Sequence, residues 1–409
     1  MISSCRFCGA PLEFVVADLG MSPLANSYLT PAQANAMEPF YPLRAFVCAR
    51  CFLVQLEAFE TPDHIFGDYA YFSSYSTSWL EHSKRYVEQM IERFKLDETS
   101  HVVELASNDG YLLRYFRERR IPVLGIEPAA NVAKVAVQAG IPTLVEFFGR
   151  DTAVSIVSES AADLLLGNNV LAHVPDLNDF VAGMKILLKP GGVITMEFPH
   201  LMRLIEQNQF DTIYHEHFSY FSFLTARRVF ASHGLKLFDV EELPTHGGSL
   251  RIFGAHADDP DKPETDRAAE LAERERQAGY ESIETYGAYA QQVRDDKRAV
   301  LSFLIELKRA GHSIAGYGAP AKGNTLLNFC GVGTDFIDYT VDMNPHKQGH
   351  FLPGSHIPIR APETLRETKP DVVLILPWNL REEIMDQHAY IREWGGRFAA
   401  RAPEMRLLD

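Results

Sequence analysis

The sequence predicts an α/β protein whose main domain is a doubly wound parallel sheet. The first observation is the stretch 102–127, where an apolar run breaks at small residues, a helical pattern follows, and a second apolar run ends on an acid. The second is that short apolar runs keep alternating with helical segments up to Pro199. The third is a Gly-rich strand–turn–helix pattern after Ser313. Such alternation is typical of parallel sheets, and 409 residues predict two or three domains.

Composition and charge narrow the class of protein. With 46% hydrophobic and 23% charged residues, the chain can build hydrophobic cores. The net charge of −15 argues against a nucleic-acid-binding surface, which needs clustered Lys and Arg, but it leaves room for a nucleotide-sized ligand. No apolar run approaches the ~18 residues that span a bilayer, and the start, Met1–Cys5, lacks the blocks of a signal peptide. We therefore expect a cytoplasmic protein without membrane segments, of undetermined oligomeric state.

Four of the five cysteines lie in two Cys-x-x-Cys pairs, Cys5 with Cys8 and Cys48 with Cys51. Each pair can present two thiolates to one metal ion, and two pairs complete a tetrahedral set. Disulfides are rare in cytoplasmic proteins, and a redox centre would not need a matched second pair. The sequence therefore predicts one structural Zn²⁺ that stabilises a small N-terminal domain.

The segment from His64 to Trp79 is dense in aromatic and hydroxyl side chains, especially at 69–76. The simpler interpretation is a packed linker with scattered tyrosines. The alternative is a loop that lines a polar ligand site. The residues alone favour the linker.

The first turn of the 102–127 stretch predicts the kind of cofactor. The turn has no Walker lysine, so it is not suited to a triphosphate. Glu104 would repel a pyrophosphate and attract a cation, and Glu127 ends the second strand, where an acid accepts ribose hydroxyls. S-adenosylmethionine has a ribose and a sulfonium cation but no phosphate. The two acids therefore favour this cofactor over the ligand of a generic Rossmann turn.

Three further strand-like runs continue the sheet, at 142–145, 162–166 and 193–199. Phe147 follows the first of them, where its ring can stack on an adenine. A Lys189–Gly192 turn precedes the last of them. Five strands alternating with helices complete the predicted doubly wound sheet.

The span 210–220 concentrates two imidazoles, two carboxylates and two phenols. A metal site at His215 and His217 fails on spacing, because the second histidine of a His-Glu-x-x-His helix would fall at Ser219. An exposed, charged helix start is the simple alternative. We favour proton-transfer chemistry, because a histidine beside Glu and Tyr can be oriented and can titrate near neutral pH.

A connecting region separates this span from a second α/β unit. A Gly-Gly turn at 247–248 leads into a strand with an inward-facing Arg251. From about Lys262, apolar residues recur with helical spacing, which predicts a long connecting helix.

The second α/β unit begins with a nucleotide-binding pattern. Gly316–Ala321 matches Gly-x-Gly-x-x-Gly/Ala, and Asp342 has roughly the spacing of a ribose acid. A dinucleotide site is one interpretation. The other is a diphosphate site carrying any sugar or nucleoside, because Lys322 and Asn324 open the following helix.

The loop after the first strand resembles the acid-x-Gly-x-Gly-x-Gly loop of the class I methyltransferases. It reads Glu104-x-Ala106-x-Asn108-Asp109-Gly110, with two glycines replaced, and Asn tolerates a positive φ better than most residues. Nearly the whole chain resembles the sugar C-methyltransferases of deoxysugar pathways. This resemblance lies in the Cys₄ head and in five further blocks: Glu104–Leu113, Asn168–His173, Tyr214–Tyr220, His246–Arg251 and Gly316–Asn328.

The resemblance implies an organisation and a reaction. Residues 1–75 would form a zinc-binding domain, 76–298 a methyltransferase core with a substrate-site insertion, and 299–409 a Rossmann-like lobe for a nucleotide sugar. The core would have the class I methyltransferase sheet and bind S-adenosylmethionine. A methyl group would pass to a ring carbon, C-3, of a nucleotide-linked 4-keto deoxyhexose through an enolate, with thymidine diphosphate as the nucleotide.

The resemblance also implies roles for individual residues. His217 would be the base, and Tyr214 would donate to the ketone or enolate oxygen or relay a proton. Glu216 would orient the sugar or an imidazole. His173 would bind sugar hydroxyls or aid the proton transfer. The cofactor contacts would be Glu104, Ala106, Ser107, Asn108, Gly110, Glu127, Phe147 and Asn168. The substrate contacts would be Tyr75, Phe198, Ser249, Arg251, Lys322 and Asn324.

Two other classes of function stay open at this point. A nicotinamide-dependent oxidoreductase would bind its cofactor at Gly316–Ala321 and its substrate in the central domain. A non-catalytic zinc scaffold would carry degenerate nucleotide folds, and it predicts no stabilisation by any nucleotide ligand.

Overall fold

The computed structural model describes residues 4–61, 73–75, 77–401 and 404–408. The strands are β1 (Phe14–Ser22), β2 (Tyr41–Val47), β3 (Val54–Leu56), β4 (Val102–Leu105), β5 (Val123–Ile126), β6 (Thr143–Leu144), β7 (Ala162–Asn168), β8 (Leu188–Pro199), β9 (Ser219–Tyr220), β10 (Leu235–Leu243), β11 (Ser249–His256), β12 (Ile314–Tyr317), β13 (Thr340–Val341), β14 (Ile359–Arg360), β15 (Val372–Ile375), β16 (Arg397–Arg401) and β17 (Met405–Leu408). The α-helices are α1 (Thr77–Phe94), α2 (Leu113–Glu118), α3 (Ala130–Gln138), α4 (Arg150–Ser160), α5 (Leu177–Leu187), α6 (Leu201–Glu206), α7 (Phe223–Ser232), α8 (Asp266–Gln277), α9 (Ile283–Arg309), α10 (Ala321–Cys330), α11 (Thr364–Thr368) and α12 (Arg381–Gln387).

The central sheet confirms the predicted doubly wound architecture. Its seven strands run in the order β10-β11-β8-β7-β4-β5-β6. The five neighbouring strands β8, β7, β4, β5 and β6 are parallel to one another. Strand β11 is antiparallel to its two neighbours, β8 and β10. Strands β5 and β7 lie on opposite sides of β4, so the strand order reverses there. In open α/β sheets, ligands bind outside the carboxyl ends of the strands at such a switch point.

The central strands are buried because helices cover both faces of the sheet. All four residues of β4 are buried, and so are five of the seven residues of β7. This explains why these strands read as continuous apolar runs instead of alternating ones. An acid within such a run, as at Glu104, is therefore conspicuous.

The segment Lys189–Gly192 lies inside a strand and does not form a separate turn. Strand β8 already begins at Leu188, which pairs with Ala162, and the register then shifts so that Leu164 pairs with Val193. The extra residues form a bulge between these two pairs. The prediction of a turn before this strand is therefore wrong, because the strand already starts at Leu188 and the four residues form a bulge within it.

The N-terminal unit is an antiparallel sheet whose fourth strand comes from the central part of the chain. Its order is β1-β2-β3-β9. Val54 pairs with Tyr220 and Gln55 with Ser219, and Leu56 N donates to Phe218 O at 3.0 Å. The span that was predicted to carry proton-transfer chemistry is therefore tied to the cysteine-bearing unit.

The C-terminal sheet is a second parallel α/β unit, as predicted. Its order is β14-β13-β12-β15-β16-β17, with β17 antiparallel and the other pairs parallel. Helix α9 is the predicted connecting helix, and its buried face packs against β1. It runs across the predicted boundary at 298/299, and the division into three domains stays a prediction. Within the described ranges, no helix is both long and apolar enough to cross a membrane.

Candidate active site

The four N-terminal cysteines lie together in one cluster. Cys5 Sγ lies 3.5 Å from Cys51 Sγ, and Cys8 Sγ lies 3.5 Å from Cys48 Sγ. All four sulfur atoms lie within 4.8 Å of one another. A tetrahedral zinc with Zn–S bonds of about 2.3 Å needs sulfurs roughly 3.8 Å apart. The four thiols therefore fit a single Zn²⁺ without an open ligand position.

Each Cys-x-x-Cys pair forms a tight turn, and the two turns differ in the residue that follows the second cysteine. Gly9 N donates to Cys5 O at 2.9 Å, and Phe52 N donates to Cys48 O at 2.9 Å. Both residues have a positive φ, 72° for Gly9 and 62° for Phe52. Glycine adopts this conformation at little cost, whereas a bulky side chain does not. The second of these two turns therefore holds a strained residue that the sequence pattern did not reveal.

The loop after β4 keeps its turn despite the two missing glycines. Ala106 has a φ of 54°, Asn108 of 51° and Gly110 of 77°. Glu127 holds this loop, because its carboxylate accepts from Asn108 N and from Ala129 N, each at 2.9 Å. Each carboxylate oxygen keeps a second lone pair, so both oxygens can still accept from the hydroxyls of a ribose.

Glu104 is the unusual group of the cofactor loop. Its side chain is fully buried, and neither carboxylate oxygen has a hydrogen-bond partner among the described residues. Burial raises the pKa of Glu104 well above its ordinary value; the nearby Tyr111 hydroxyl opposes this shift, and the Glu127 and Asp109 carboxylates add to it. A buried carboxyl group without a partner is costly. A cationic ligand would relieve that cost.

Other polar atoms around this loop also lack partners within the described part of the chain. They are Ser107 Oγ, Asp109 Oδ1 and Asn168 Nδ2. Together with Glu104 they offer acceptors and one amide donor to a ligand at the switch point. These groups fit the amino acid and ribose parts of S-adenosylmethionine, so the site accommodates the predicted cofactor.

Two more predicted positions border the cofactor loop. Phe147 is 43% exposed, which leaves its ring available for adenine. The turn Ser73–Tyr75 packs on the loop, because Ser73 N donates to Asn108 Oδ1 at 2.9 Å and Ser74 N to Asp109 Oδ2 at 3.2 Å. The side chain of Tyr75, and most of the 64–79 segment with it, lie outside the described residues.

His217 is held as a neutral imidazole. Its Nδ1 donates to Thr212 O at 3.0 Å, because a carbonyl oxygen can only accept. Burial lowers the pKa of His217 well below its usual value, and the His173, His246 and Lys322 charges lower it further. The neutral ring therefore carries its proton on Nδ1 and presents an unprotonated Nε2.

The groups around His217 include the other predicted catalytic residues. The Tyr214 ring lies 4.0 Å from the His217 ring, and the His173 ring lies 4.7 Å from it. His173 Nδ1 donates to the backbone oxygen of Glu216 at 2.8 Å, and burial lowers the pKa of His173 to about 4. Glu216 therefore orients an imidazole through its backbone carbonyl.

The Glu216 carboxylate points to the N-terminal unit. Asn26 Nδ2 donates to both of its oxygens, at 2.7 and 2.9 Å. Burial raises the pKa of Glu216 to about 7, whereas Asn26 and Lys347 oppose the shift. The carboxylate thus links the catalytic span to residues of the other two units.

The two predicted diphosphate ligands lie at the start of α10. Lys322 Nζ donates to Asn379 Oδ1 at 2.8 Å and lies 4.6 Å above the Trp378 ring. Burial lowers the pKa of Lys322 to about 8. Asn324 Nδ2 donates to Ala25 O at 2.6 Å, while its buried Oδ1 has no partner in the described chain.

Three predicted substrate residues have structural partners. Phe198 is fully buried with its ring 5.4 Å from that of Phe221. Ser249 Oγ donates to Thr245 O at 3.0 Å. Arg251 is buried and donates to two carboxylates, Glu197 and Glu241. Their partners give these residues packing and ion-pairing roles, and their substrate contacts stay predictions.

Sequence reasoning missed a second polar cluster on the substrate side of β8. Glu197 is fully buried, with Oε2 accepting from His82 Nε2 at 2.9 Å and Oε1 from Thr245 Oγ1 at 2.9 Å. Burial acts to raise its pKa, but the His82 hydrogen bond and the Arg251 charge hold it below its usual value. An acid near the carboxyl end of a parallel strand was a usable signal. His82, on α1, offered none.

The second Gly-rich turn, after β12, is filled by the protein itself. The Tyr28 hydroxyl and Lys347 Nζ both donate to Ala319 O, at 2.5 and 2.9 Å. Asp342 accepts from Ala319 N at 2.7 Å. A Cβ on Gly318 would lie 2.6 Å from Pro377, so this glycine makes room for the protein's own proline.

The doubly wound sheet with one antiparallel strand and the acid-bearing first turn define a class I methyltransferase that uses S-adenosylmethionine. Three family models match the chain: "Putative zinc binding domain" at 5–66, "Methyltransferase domain" at 79–240 and "C-methyltransferase C-terminal domain" at 244–403. C-methyltransferase NovU of Streptomyces niveus is 37% identical over 409 residues, which is 100% of this chain and 97% of NovU. The chain therefore belongs to the C-methyltransferase family.

Two solved structures of other methyltransferases resemble part of the chain. One from Archaeoglobus fulgidus is 13% identical and covers 43% of this chain and 93% of its own, with a TM-score of 0.35. Magnesium protoporphyrin IX methyltransferase from Synechocystis is 11% identical and covers 43% and 79%, with a TM-score of 0.33. Scores of this size carry no argument about the site. The oxidoreductase alternative gains no support from these comparisons, and membership of an enzyme family contradicts the non-catalytic scaffold.

Proposed function

We propose that this C-methyltransferase transfers the methyl group to C-3 of a nucleotide-linked 4-keto deoxysugar, with thymidine diphosphate as the nucleotide. The observation that carries the proposal is His217, a neutral imidazole whose tied Nδ1 leaves Nε2 unprotonated. A base of this kind suits removal of a proton next to a ketone. Carbon is a poor nucleophile until such a proton is removed, because the enolate then carries the electron pair.

In the proposed reaction, residues of the span 210–220 carry out the proton transfer. His217 Nε2 takes the proton from the substrate carbon, and the electron pair moves toward the ketone oxygen. Such a proton is far less acidic than an imidazolium ion, so the oxyanion must be stabilised as it forms. Tyr214, whose ring lies 4.0 Å from that of His217, is proposed to donate to this oxygen or to relay a proton.

His173 and Glu216 are proposed to hold the sugar in place. The Glu216 backbone oxygen accepts a hydrogen bond from His173 Nδ1, which makes Nε2 of the neutral ring an acceptor. Lys322 and Asn324, at the start of α10, are proposed to bind the diphosphate, where the helix N-terminus adds favourable amide dipoles.

The residues around the first turn fit the cofactor. Glu104 and Glu127, with Asn168 and Phe147, would hold its amino acid, ribose and adenine groups. When bound, S-adenosylmethionine supplies an electrophilic methyl group. The protein's part is to orient the enolate carbon and to exclude water from the cleft.

The Cys₄ cluster is proposed to bind one structural Zn²⁺. The supporting observations are the four sulfurs within 4.8 Å of one another and the hydrogen bond from Gln55 Nε2 to Cys5 Sγ, at 3.2 Å, which would stabilise a thiolate. Because β3 of this unit pairs with β9, the metal would also support the catalytic span.

The test of the proposed function is proton exchange without methyl transfer. The protein is mixed in D₂O with thymidine-diphosphate-linked 4-keto deoxysugars, and deuterium uptake at C-3 is followed by NMR. We expect uptake by the wild type and a loss of about 100-fold or more in His217→Asn. His346→Asn, at an exposed position, serves as the matched control. Near-wild-type exchange and turnover in His217→Asn would overturn the base assignment. No exchange or methylation with any keto sugar would overturn the substrate class.

A further inference from the structure

The turn that carries His246 is strained and tightly held. His246 has φ 54° and ψ 19°, a left-handed conformation that non-glycine residues adopt mainly where the surroundings impose it. Ser249 Oγ and Gly248 N donate to Thr245 O at 3.0 and 2.9 Å, and Gln209 Nε2 donates to Gly247 O at 2.7 Å. These bonds fix the position of the imidazole. Backbone strain of this kind clusters at functional sites.

The hydrogen bond from Asn169 determines which nitrogen of His246 carries the proton. Asn169 Nδ2 lies 3.1 Å from His246 Nε2. An amide NH₂ can only donate, so His246 Nε2 accepts and the proton of the neutral ring sits on Nδ1. Nδ1 has no hydrogen-bond partner in the ranges that the structure describes. Asn169 also has a φ of 54°, so both members of this pair hold an unusual backbone conformation.

The surroundings keep His246 neutral. Burial is the main cause that lowers the pKa of His246 to about 4; the Lys322 and His82 charges act in the same direction, and Glu197 opposes them. On its other side, the Trp79 ring lies 5.4 Å from the imidazole. Asn169, the partner of His246, lies four residues before His173, whose ring lies 4.7 Å from that of His217, so the two imidazoles border one cleft.

The two histidines of the cleft therefore have opposite hydrogen-bonding roles. His217 donates a hydrogen bond from Nδ1–H to a backbone carbonyl, and its Nε2 is unprotonated. His246 accepts at Nε2 and presents an N–H group. A cleft that contains one fixed acceptor and one fixed donor is suited to a reaction that removes a proton and creates an oxyanion.

We propose that His246 is a further catalytic residue, which donates its Nδ1–H to the substrate oxygen that becomes negative when His217 removes the carbon-bound proton. In this step the C–H bond breaks, the proton forms a bond to His217 Nε2, and the electron pair is shared between carbon and the carbonyl oxygen. The inference rests on the proposed keto substrate. A neutral imidazole held in one tautomer is a known electrophilic catalyst for enolisation.

The first experiment removes the donor without straining the backbone. His246→Gly keeps the positive φ and lacks the N–H group, whereas His246→Asn tolerates this φ and places an amide NH₂ near the position of Nδ1. We expect deuterium exchange at C-3, measured without cofactor, to fall about 100-fold to 1,000-fold in His246→Gly. His246→Asn should recover most of this loss. Binding of S-adenosylhomocysteine, measured by calorimetry, should stay unchanged in both variants.

The second experiment reverses the tautomer. In Asn169→Asp, a carboxylate accepts from His246 Nε2–H, which leaves Nδ1 bare in the neutral ring and raises the pKa of His246. The exchange rate should then be low at high pH and recover as the pH falls through the raised pKa, because the imidazolium again carries a proton on Nδ1. A residue with only a structural role would not produce this pH profile.

The outcomes separate the two proposals. If the wild type exchanges no proton with any keto sugar, the proposed function fails. If the wild type exchanges normally and His246→Gly does so at a similar rate, or if Asn169→Asp keeps the wild-type pH profile, the role of His246 is overturned.

Discussion

The turn after β4 and the turn after β12 each use the acid at the end of the next strand to hold their own backbone. Glu127 accepts from amides of the first turn, and Asp342 accepts from an amide of the second. They differ in what lies beside them. Glu104, in the first, has two buried oxygens without partners among the described residues. The second is capped by Tyr28 and Lys347, which occupy Ala319 O.

A matching motif therefore does not identify an open site. The second turn fits Gly-x-Gly-x-x-Ala without a mismatch, whereas the first has lost two of its glycines. Yet the first leaves unsatisfied polar groups for a ligand, and the second has satisfied its carbonyl within the protein. Buried polar groups without partners are a better indicator of a ligand than the glycine pattern is.

The largest effect is expected from removal of the zinc, which should affect the surroundings of the second turn and leave cofactor binding at the first turn intact. Tyr28 and Asn26 belong to the N-terminal unit and contact the second turn and Glu216. Stripping the metal with a chelator should abolish turnover, because these contacts and the β3–β9 pairing lose their support. Calorimetric binding of S-adenosylhomocysteine should survive, and added Zn²⁺ should restore activity. Full turnover by metal-free protein would contradict a structural zinc.

Replacing the acid of each turn by alanine should reduce the affinity for S-adenosylhomocysteine by unequal amounts. Glu127→Ala should weaken S-adenosylhomocysteine binding by roughly 100-fold or more, because the two predicted hydrogen bonds from the ribose hydroxyls to this carboxylate are each worth about 1.5–3 kcal/mol. Asp342→Ala is the matched control and should leave this affinity unchanged. Equal losses in the two variants, or calorimetric binding of NAD by the wild type, would show that the second turn is also a cofactor site.

Glu104→Gln should stabilise the ligand-free protein while weakening cofactor binding about tenfold. Because the pKa of Glu104 is raised in the folded state, its stabilising contribution is complete below the unfolded pKa and is lost as the pH rises through the folded pKa. The gain in Tm of the variant should therefore grow with pH across that window. A variant whose Tm difference does not depend on pH would show that the buried carboxyl does not titrate this way.

The smallest effect is expected at the helix that follows the second turn. Lys322→Ala should raise the KM of the nucleotide sugar several-fold and leave kcat nearly unchanged, because a diphosphate contact is made equally in the ground and transition states. Lys84→Ala, at an exposed position on α1, is the matched control. A fall in kcat without a change in KM would instead assign Lys322 to the chemistry.

The sequence predicts the sheets well because their signals are local. Apolar runs such as β4 and β7, and the helical spacing of α9, depend on neighbouring residues only. The acids Glu104 and Glu127 could be located because strand ends in a doubly wound sheet meet at one edge.

The missed parts depend on contacts between distant residues. The pairing of Glu197 with His82 joins a strand to a helix more than a hundred residues earlier. The donor role of His246 depends on an amide from Asn169. Nothing in either local sequence specifies its partner, so the orientation of these side chains, and with it their chemistry, becomes readable only in three dimensions.

The pairing of β3 with β9 has a consequence for biosynthesis. The N-terminal unit is translated before the central sheet, but its own sheet lacks its fourth strand until Ser219 and Tyr220 leave the ribosome. Until then the edge of β3 exposes unpaired backbone groups, which favour association with other chains. The N-terminal sheet therefore stays incomplete while most of the central sheet is synthesised. A pause or truncation within that interval leaves an aggregation-prone fragment that chaperones must protect.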